Sequence, residues 1–118
     1  MSDARAENER RVRELTTRDW HMLIGGEMVD AASGRRFDTI NPSTGEVLAS
    51  VPFAGADDVT AAVDAALVAA PEWRQRTVLE RIPALVALSQ KVQARAADLG
   101  LLDAVDSGNP VSAMVNDA

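Results

Sequence analysis

A chain of 118 residues, 47% of them hydrophobic, is long enough for one small core and predicts a single domain or part of one. Its formal net charge of −6 argues against a nucleic-acid surface and a polybasic membrane anchor. The absence of cysteine excludes disulfides, zinc-thiolate sites and thiol chemistry from these residues. We expect a cytoplasmic protein, because no apolar run approaches the roughly 18 residues of a membrane span.

Residues 1–19 form a charged segment without apolar periodicity, and we predict a frayed or weakly helical N-terminal arm. The spacings Glu7/Arg11 and Glu9/Arg13 suit i,i+4 ion pairs, which stabilise a solvated helix by only a few tenths of a kcal/mol each. A solvated charge run therefore explains this segment better than a functional arm does.

Residues 20–54 predict two β-hairpins. The pair Gly25-Gly26 separates two short apolar runs and supplies the positive φ angles of a type I′ turn. The stretch NPSTGE at 41–46 predicts the second turn, between two β-compatible segments, and Asn41 is predicted to bond its own backbone ahead of it. No G-x-G-x-x-G motif occurs and no helix follows Gly26 directly, so the glycine pair is not predicted to bind phosphate.

Residues 55–118 predict a helical segment, because the apolar period changes from two to 3.6 after Asp57. Asp57 and Asp58 lie where the helix dipole favours negative charge, which indicates capping rather than acid-base or metal chemistry. Pro71 is predicted to end this helix and to leave Trp73 in the connection.

A second helix is predicted after Thr77, since Thr77 and Glu80 match a capping box. Pro83 predicts either a slight kink in it or a helix that starts nearer Arg81, and Gly100 marks its end. A third helix is predicted from Asn109 as N-cap and Pro110 as first residue, and we expect this last helix to be truncated.

The order and spacing of these motifs from residue 23 to residue 116 resemble the N-terminal portion of the aldehyde dehydrogenase superfamily. The motifs that carry the resemblance are LIGGE at 23–27, NPSTGEV at 41–47, DDV at 57–59, PEWR at 71–74 and DSGNP at 106–110. Met28, Asp103 and Asn109 depart from the family, which often has Trp, Glu and Lys there. The departures indicate a subgroup rather than a different fold.

The resemblance implies an α/β fold, the N-terminal part of a cofactor-binding domain. Within it, 1–19 would be the arm, 20–54 the hairpins and 55–118 the helical segment. The resemblance also implies that the whole enzyme oxidises aldehydes to carboxylic acids with NAD or NADP through a catalytic cysteine. Its partners would be the rest of its own chain or a homo-oligomer. The 118 residues themselves would hold no catalytic or cofactor-binding residue and would be inactive alone.

The resemblance further implies one candidate site for a monovalent cation. Its ligands would be backbone oxygens near Thr39 and Ile40 and the carboxylate of Asp106, with one more ligand from downstream. Such hard oxygen ligands suit a hard cation. A simpler role for Asp106 is to cap or bond within its own turn.

An alternative function is a non-catalytic α+β interaction module derived from the same family. Such a module would bind a partner through exposed apolar helix faces. The single histidine, His21, has no cysteine or nearby serine partner, so it forms no catalytic constellation. We predict that it is a surface residue at a strand edge.

Overall fold

Two short antiparallel strand pairs precede three of the four helices in the computed structural model, which describes residues 2–111 and residue 114. The elements in chain order are α1 (Ser2–Thr16), β1 (Met22–Ile24), β2 (Glu27–Val29), β3 (Arg36–Ile40), β4 (Val47–Pro52), α2 (Ala56–Gln75), α3 (Val78–Gln93) and α4 (Ala96–Ser107). The predicted α/β class, with two hairpins followed by about three helices, is confirmed.

The chain divides into two compact units that each combine distant parts of the sequence. Unit 1 contains Met1–Asp19, Asp38–Ser50 and Ser89–Ala118, and unit 2 contains Trp20–Phe37 and Val51–Leu88. The boundary falls inside β3, β4 and α3. The predicted domain organisation into arm, hairpins and helical segment remains a prediction.

Of the two predicted states of the arm, frayed or weakly helical, the structure has the helical one, a continuous helix of 15 residues, α1. In α1, Leu15 is only 1% exposed, and Arg11 binds Asp98 of α4 through two hydrogen bonds. Within α1, Arg5 and Glu9 form an ion pair at 2.9 Å. The helix is therefore stabilised by tertiary contacts, which its charge pattern alone could not indicate.

The first hairpin has the turn that the sequence predicts. Leu23 pairs with Met28 in an antiparallel register, and Gly25 and Gly26 have φ angles of 62° and 88°. Both angles are positive, as a type I′ turn requires. Because residues other than glycine rarely adopt two positive φ angles in succession, this glycine pair determines the turn of the hairpin.

The second turn is closed by its own backbone and by one asparagine side chain. The amide of Asn41 donates to the carbonyl of Glu46 at 2.9 Å, and the amide of Gly45 donates to the carbonyl of Asn41 at 2.8 Å. The side-chain Oδ1 of Asn41 accepts the amide of Ser43 at 2.9 Å. The prediction that Asn41 bonds the backbone ahead of it is confirmed.

The predicted end of α2 at Pro71 is wrong, because the helix continues to Gln75 and includes Trp73. A proline removes one intrahelical hydrogen bond, but the residues after it can still form theirs. The last turn has further contacts. The guanidinium groups of Arg76 and Arg81 lie 5.9 and 5.7 Å from the ring centroid of Trp73. Arg81 also donates from Nε to the carbonyl of Arg76 at 3.0 Å.

The capping box at the start of α3 is confirmed, and the alternative start nearer Arg81 is wrong, because the capped helix begins at Val78. The amide of Thr77 donates to Glu80 at 2.8 Å, and the hydroxyl of Thr77 accepts the amide of Glu80 at 3.4 Å. The predicted break at Gly100 is wrong, since Gly100 is a buried residue within α4. The chain breaks instead at Arg95, whose amide forms an i,i+3 bond to Val92 and whose φ and ψ of −115° and 6° are not helical.

The predicted third helix falls mostly on residues that lie outside the described part of the chain. Of this segment the structure describes Pro110, Val111 and Met114. The amide of Met114 donates to the carbonyl of Pro110 at 3.4 Å, the i,i+4 spacing of an α-helix. The predicted start at Pro110 is consistent with this bond.

The buried hydrophobic side chains are distributed unequally between the units. Unit 1 buries Leu15, Leu101 and Ala104, whereas Ala31 is the one buried hydrophobic residue in unit 2. None of the 16 residues of α3 is buried. Among the described helices, none combines the length and the apolar character needed to cross a bilayer.

Candidate functional site

The turn after β3 meets the C-terminal end of α4 within unit 1. Gly108 caps α4 with a φ of 79°, and its amide donates to the carbonyl of Ala104 at 3.0 Å. A Cβ atom added at Gly108 would lie 3.1 Å from Cγ of Pro42. The turn that follows Thr39 and Ile40 and the turn that follows Asp106, the two segments of the candidate cation site that the resemblance implies, are therefore adjacent in the structure.

The three candidate cation ligands lie at the two sides of this contact. Thr39 and Ile40 are the last residues of β3, and the hydroxyl of Thr39 donates to the carbonyl of Ala49 at 3.4 Å. Asp106 is exposed and lies one residue before the end of α4. The described residues include no group of three or more His, Cys, Asp or Glu side chains that could hold a metal ion. A cation at this corner would thus depend on backbone oxygens, as the resemblance implies.

The hydrogen bonds that close the turn after Asp106 involve its neighbour Ser107. The hydroxyl of Ser107 donates to the carbonyl of Asp103 at 2.6 Å and accepts the amide of Asn109 at 3.3 Å. The Asp106 carboxylate is exposed beside this pair of bonds. The hydroxyl of Ser107 therefore makes the hydrogen bonds within this turn that were considered for Asp106.

An ion pair that the sequence did not predict lies at the N-terminal end of α4. Arg11 of α1 donates to both carboxylate oxygens of Asp98, each at 2.7 Å. The hydrogen bond from Arg11 lowers the pKa of Asp98 from its ordinary value, while partial burial opposes this effect. No sequence signal could have paired two residues that are 87 positions apart.

The carboxylate of Asp58 joins two parts of unit 2. It is 7% exposed and accepts the amide of Gly55 at 2.7 Å and the amide of Ala32 at 2.9 Å. These two backbone bonds, that of Gly55 first, lower its pKa against the effect of burial. The predicted capping role is confirmed for Asp58, but the bond to Ala32 was not predicted.

His21 directly precedes β1 and contacts an ion pair of unit 2, that of Asp30 and Arg36. Its Nδ1 lies 3.1 Å from Oδ1 of Asp30, and Nη1 of Arg36 lies 3.1 Å from the same oxygen. The side chain of His21 is 28% exposed. This arrangement indicates a structural contact.

The described helices do not fit the phosphates of a dinucleotide. Phosphate groups bind helix N-termini whose amides and positive dipole end are free. Each described helix instead carries a carboxylate in its first turn. These are Asp3 in α1, Asp57 and Asp58 in α2, Glu80 in α3 and Asp98 in α4. The negative charges repel a pyrophosphate, so a dinucleotide would need residues other than these.

Comparison with known proteins agrees with the resemblance. The model of the aldehyde dehydrogenase family matches residues 28–118. Succinate-semialdehyde dehydrogenase [NADP(+)] GabD of Escherichia coli (strain K12) is 40% identical over 90 residues, which cover 76% of this chain and 19% of that protein.

Solved structures show the same relationship. A mutant aldehyde dehydrogenase from Bacillus cereus matches with a TM-score of 0.83 and 34% identity, over 91% of this chain and 22% of that one. HpcC from Thermus thermophilus matches with a TM-score of 0.87 and 28% identity, over 92% of this chain and 21% of that one. The chain thus spans about a fifth of the length of these relatives.

Proposed function

Because this chain belongs to the aldehyde dehydrogenase family, we propose that its residues form the N-terminal portion of an NAD(P)-dependent aldehyde dehydrogenase. The observation that carries the proposal is the family match over residues 28–118. The separate alignment with the relative from Escherichia coli covers 76% of this chain but only 19% of that protein. We propose that the whole enzyme is cytoplasmic and homo-oligomeric.

The reaction proposed for the whole enzyme is the oxidation of an aldehyde to a carboxylic acid. The nucleophile would be a cysteine thiolate, which is both reactive and a good leaving group, and the 118 residues contain no cysteine. NAD or NADP would accept the hydride when bound. The helices described above do not fit its phosphates. We therefore propose that the present residues act as a scaffold and are inactive alone.

The exposed apolar surface of unit 2 supports a scaffold role. Val68 of α2 is 82% exposed and Leu79 of α3 is 79% exposed, while Ala31 is the unit's one buried hydrophobic residue. Large apolar patches usually mark surfaces that pack against another structure. We propose that the remainder of the dehydrogenase polypeptide covers this surface.

The proposed scaffold also includes the corner of unit 1 near the candidate cation site. We propose that backbone oxygens of Thr39 and Ile40, the carboxylate of Asp106 and one ligand from elsewhere in the polypeptide bind a monovalent cation. The contact between Gly108 and Pro42 supports this proposal, because it holds the two motifs together. In the whole enzyme, Asp106→Asn should weaken the binding of K⁺ or Na⁺, and Asp103→Asn is the matched control.

An activity assay tests the main proposal. The purified 118-residue chain should reduce neither NAD nor NADP with a panel of aldehydes, whereas the protein from its full reading frame should do so. Turnover by the short chain would contradict the proposal. An inactive full-length protein, with a short chain that is monomeric and melts cooperatively, would favour the interaction module instead.

A pair of substitutions in the full-length protein tests whether the remainder of the polypeptide covers the exposed apolar surface of unit 2. Leu85→Asp places a charge on the apolar face of α3, where Leu85 is 55% exposed in the present chain. We expect loss of soluble, active enzyme, because a charge would be buried without a partner. Gln90→Asp changes an exposed α3 residue outside that face and should be tolerated. Full activity of Leu85→Asp would show that this face stays in solvent.

A further inference from the structure

The segment that leads from β4 into the first turn of α2 contacts the loop between β2 and β3 at two points in unit 2. At one point, the Asp58 carboxylate accepts the amide of Ala32 at 2.9 Å with one oxygen and the amide of Gly55 at 2.7 Å with the other. Asp58 is 7% exposed although it is charged. Charged side chains are rarely buried to this degree unless they are fully bonded.

At the second point, Phe53 contacts Arg35 through its backbone amide and its ring, and no carboxylate of the described residues takes part. The amide of Phe53 donates to the carbonyl of Arg35 at 2.9 Å, and the Arg35 guanidinium lies 4.5 Å from the centroid of the Phe53 ring. The ring of Phe37 packs edge-on against Phe53, with centroids 5.9 Å apart. This point combines a backbone bond with aromatic contacts.

A single tight turn lies between the two points. The amide of Gly34 donates to the carbonyl of Ala31 at 2.8 Å, and Gly34 has a φ of 67°. Ala31 is 5% exposed. The turn therefore has a buried anchor of its own and is attached at Ala32 by Asp58 and at Arg35 by Phe53.

We propose that Asp58 acts as a clasp that couples the start of α2 to the turn of residues 31–34. When the carboxylate loses its negative charge, its hydrogen bonds to the amides of Ala32 and Gly55 weaken, and the turn opens while the contact at Phe53 persists. A carboxylate can accept two amides at once, whereas a carboxamide offers one oxygen and sets its NH₂ group against the second donor. The inference concerns local structure and does not depend on the proposed enzyme.

Amide hydrogen exchange of the 118-residue chain tests the clasp. In Asp58→Asn, neither amide keeps a charged acceptor, so we expect the amides of Ala32 and Gly55 both to exchange faster. The amide that faces the NH₂ group should exchange on the order of tenfold faster, since its bond is lost. The amide of Phe53 should keep its exchange rate. Asp57→Asn is the matched control, because Asp57 is the exposed neighbour in the same helical turn. Unchanged exchange at Ala32, or equal acceleration at Phe53, would overturn the proposal.

A titration of the unmodified chain avoids any effect of the substitution on folding. The ionisable side chains of the two contacting segments are Asp30 and Arg35 in the loop and Asp57 and Asp58 in the first turn of α2. In NMR spectra, the amide protons of Ala32 and Gly55 should shift with one common midpoint, below the pKa of an ordinary aspartate. Asp57→Asn should leave that midpoint in place. Different midpoints for the two amides would contradict a shared acceptor.

Discussion

Arg11 and Asp98 form a bidentate ion pair across 87 residues of sequence. Nε of Arg11 donates to Oδ1 of Asp98 and Nη2 donates to Oδ2, both at 2.7 Å. The side chain of Asp98 is 14% exposed, so solvent screens this pair less than the ion pairs on the outer face of α1. Two parallel bonds also restrict orientation, and together with the buried Leu15 they attach α1 to α4.

The first prediction concerns the pH dependence of stability in Asp98→Asn. Arg11 lowers the pKa of Asp98 in the folded state, so the unfolded state binds more protons near that pKa. The pair's contribution is therefore present above the unfolded pKa of about 4 and is lost as the pH falls through the folded pKa. In urea titrations at falling pH, Asp98→Asn should start less stable and lose stability less steeply than the unmodified chain.

The control for this prediction is Arg5→Ala. Arg5 pairs with Glu9 within α1, but its side chain is 84% exposed. Exposed pairs of this kind contribute little, so the acid limb should match that of the unmodified chain. Some acid dependence should remain in Asp98→Asn, because hydrogen bonds also lower the pKa values of Asp58 and Glu80. Identical acid limbs for Asp98→Asn and the unmodified chain would show that the pair does not contribute.

The second prediction compares two Leu→Ala substitutions. Leu15 in α1 is 1% exposed, so Leu15→Ala should lower the free energy of unfolding by about 2–5 kcal/mol. Leu79 in α3 is 79% exposed, so Leu79→Ala should change it by less than about 0.5 kcal/mol. Chemical denaturation measures both. Equal effects would mean that α1 is not packed as the structure shows.

The features that sequence reasoning predicted correctly depend on residues a few positions apart. The Gly25-Gly26 turn, the Asn41 side-chain bond and the box of Thr77 and Glu80 each involve a short stretch. Their geometry follows from the preferences of the residues concerned. The candidate cation site at Thr39, Ile40 and Asp106 has a different origin, because the family resemblance implied it, and it stays a prediction.

The features that were missed depend on partners far along the chain. Pro71 was expected to end a helix, but contacts of Trp73 with Arg76 and Arg81 hold one more turn beyond it. Charge spacing within residues 1–19 indicated an arm that is frayed or only weakly helical. Its stabilising partner Asp98 lies 87 positions away from Arg11 and could not be identified from that segment. Tertiary contacts of this kind override local propensity.

The third prediction tests the capping box with two Thr→Ala substitutions. Thr77→Ala removes the hydroxyl that accepts the Glu80 amide and donates to the Glu80 carboxylate at 2.8 Å. We expect a loss of about 1 kcal/mol in the free energy of unfolding. Thr60 lies inside α2 and donates to the carbonyl of Ala56 at 2.9 Å. Thr60→Ala should be neutral or slightly stabilising, because alanine has the higher helix propensity. A neutral Thr77→Ala would contradict the cap.

The fourth prediction measures the contact between Gly108 and Pro42. Gly108→Ala forces an alanine into a φ of 79° and brings its Cβ 3.1 Å from Cγ of Pro42. Gly45→Ala imposes a similar φ of 74°, with no atom within 4 Å of the added Cβ. Each should cost roughly 1–2 kcal/mol for the left-handed conformation. Only Gly108→Ala must also displace Pro42, because a carbon contact this short is repulsive. Urea denaturation should therefore show the larger loss for Gly108→Ala, and equal losses would mean that the end of α4 and the turn are not in contact.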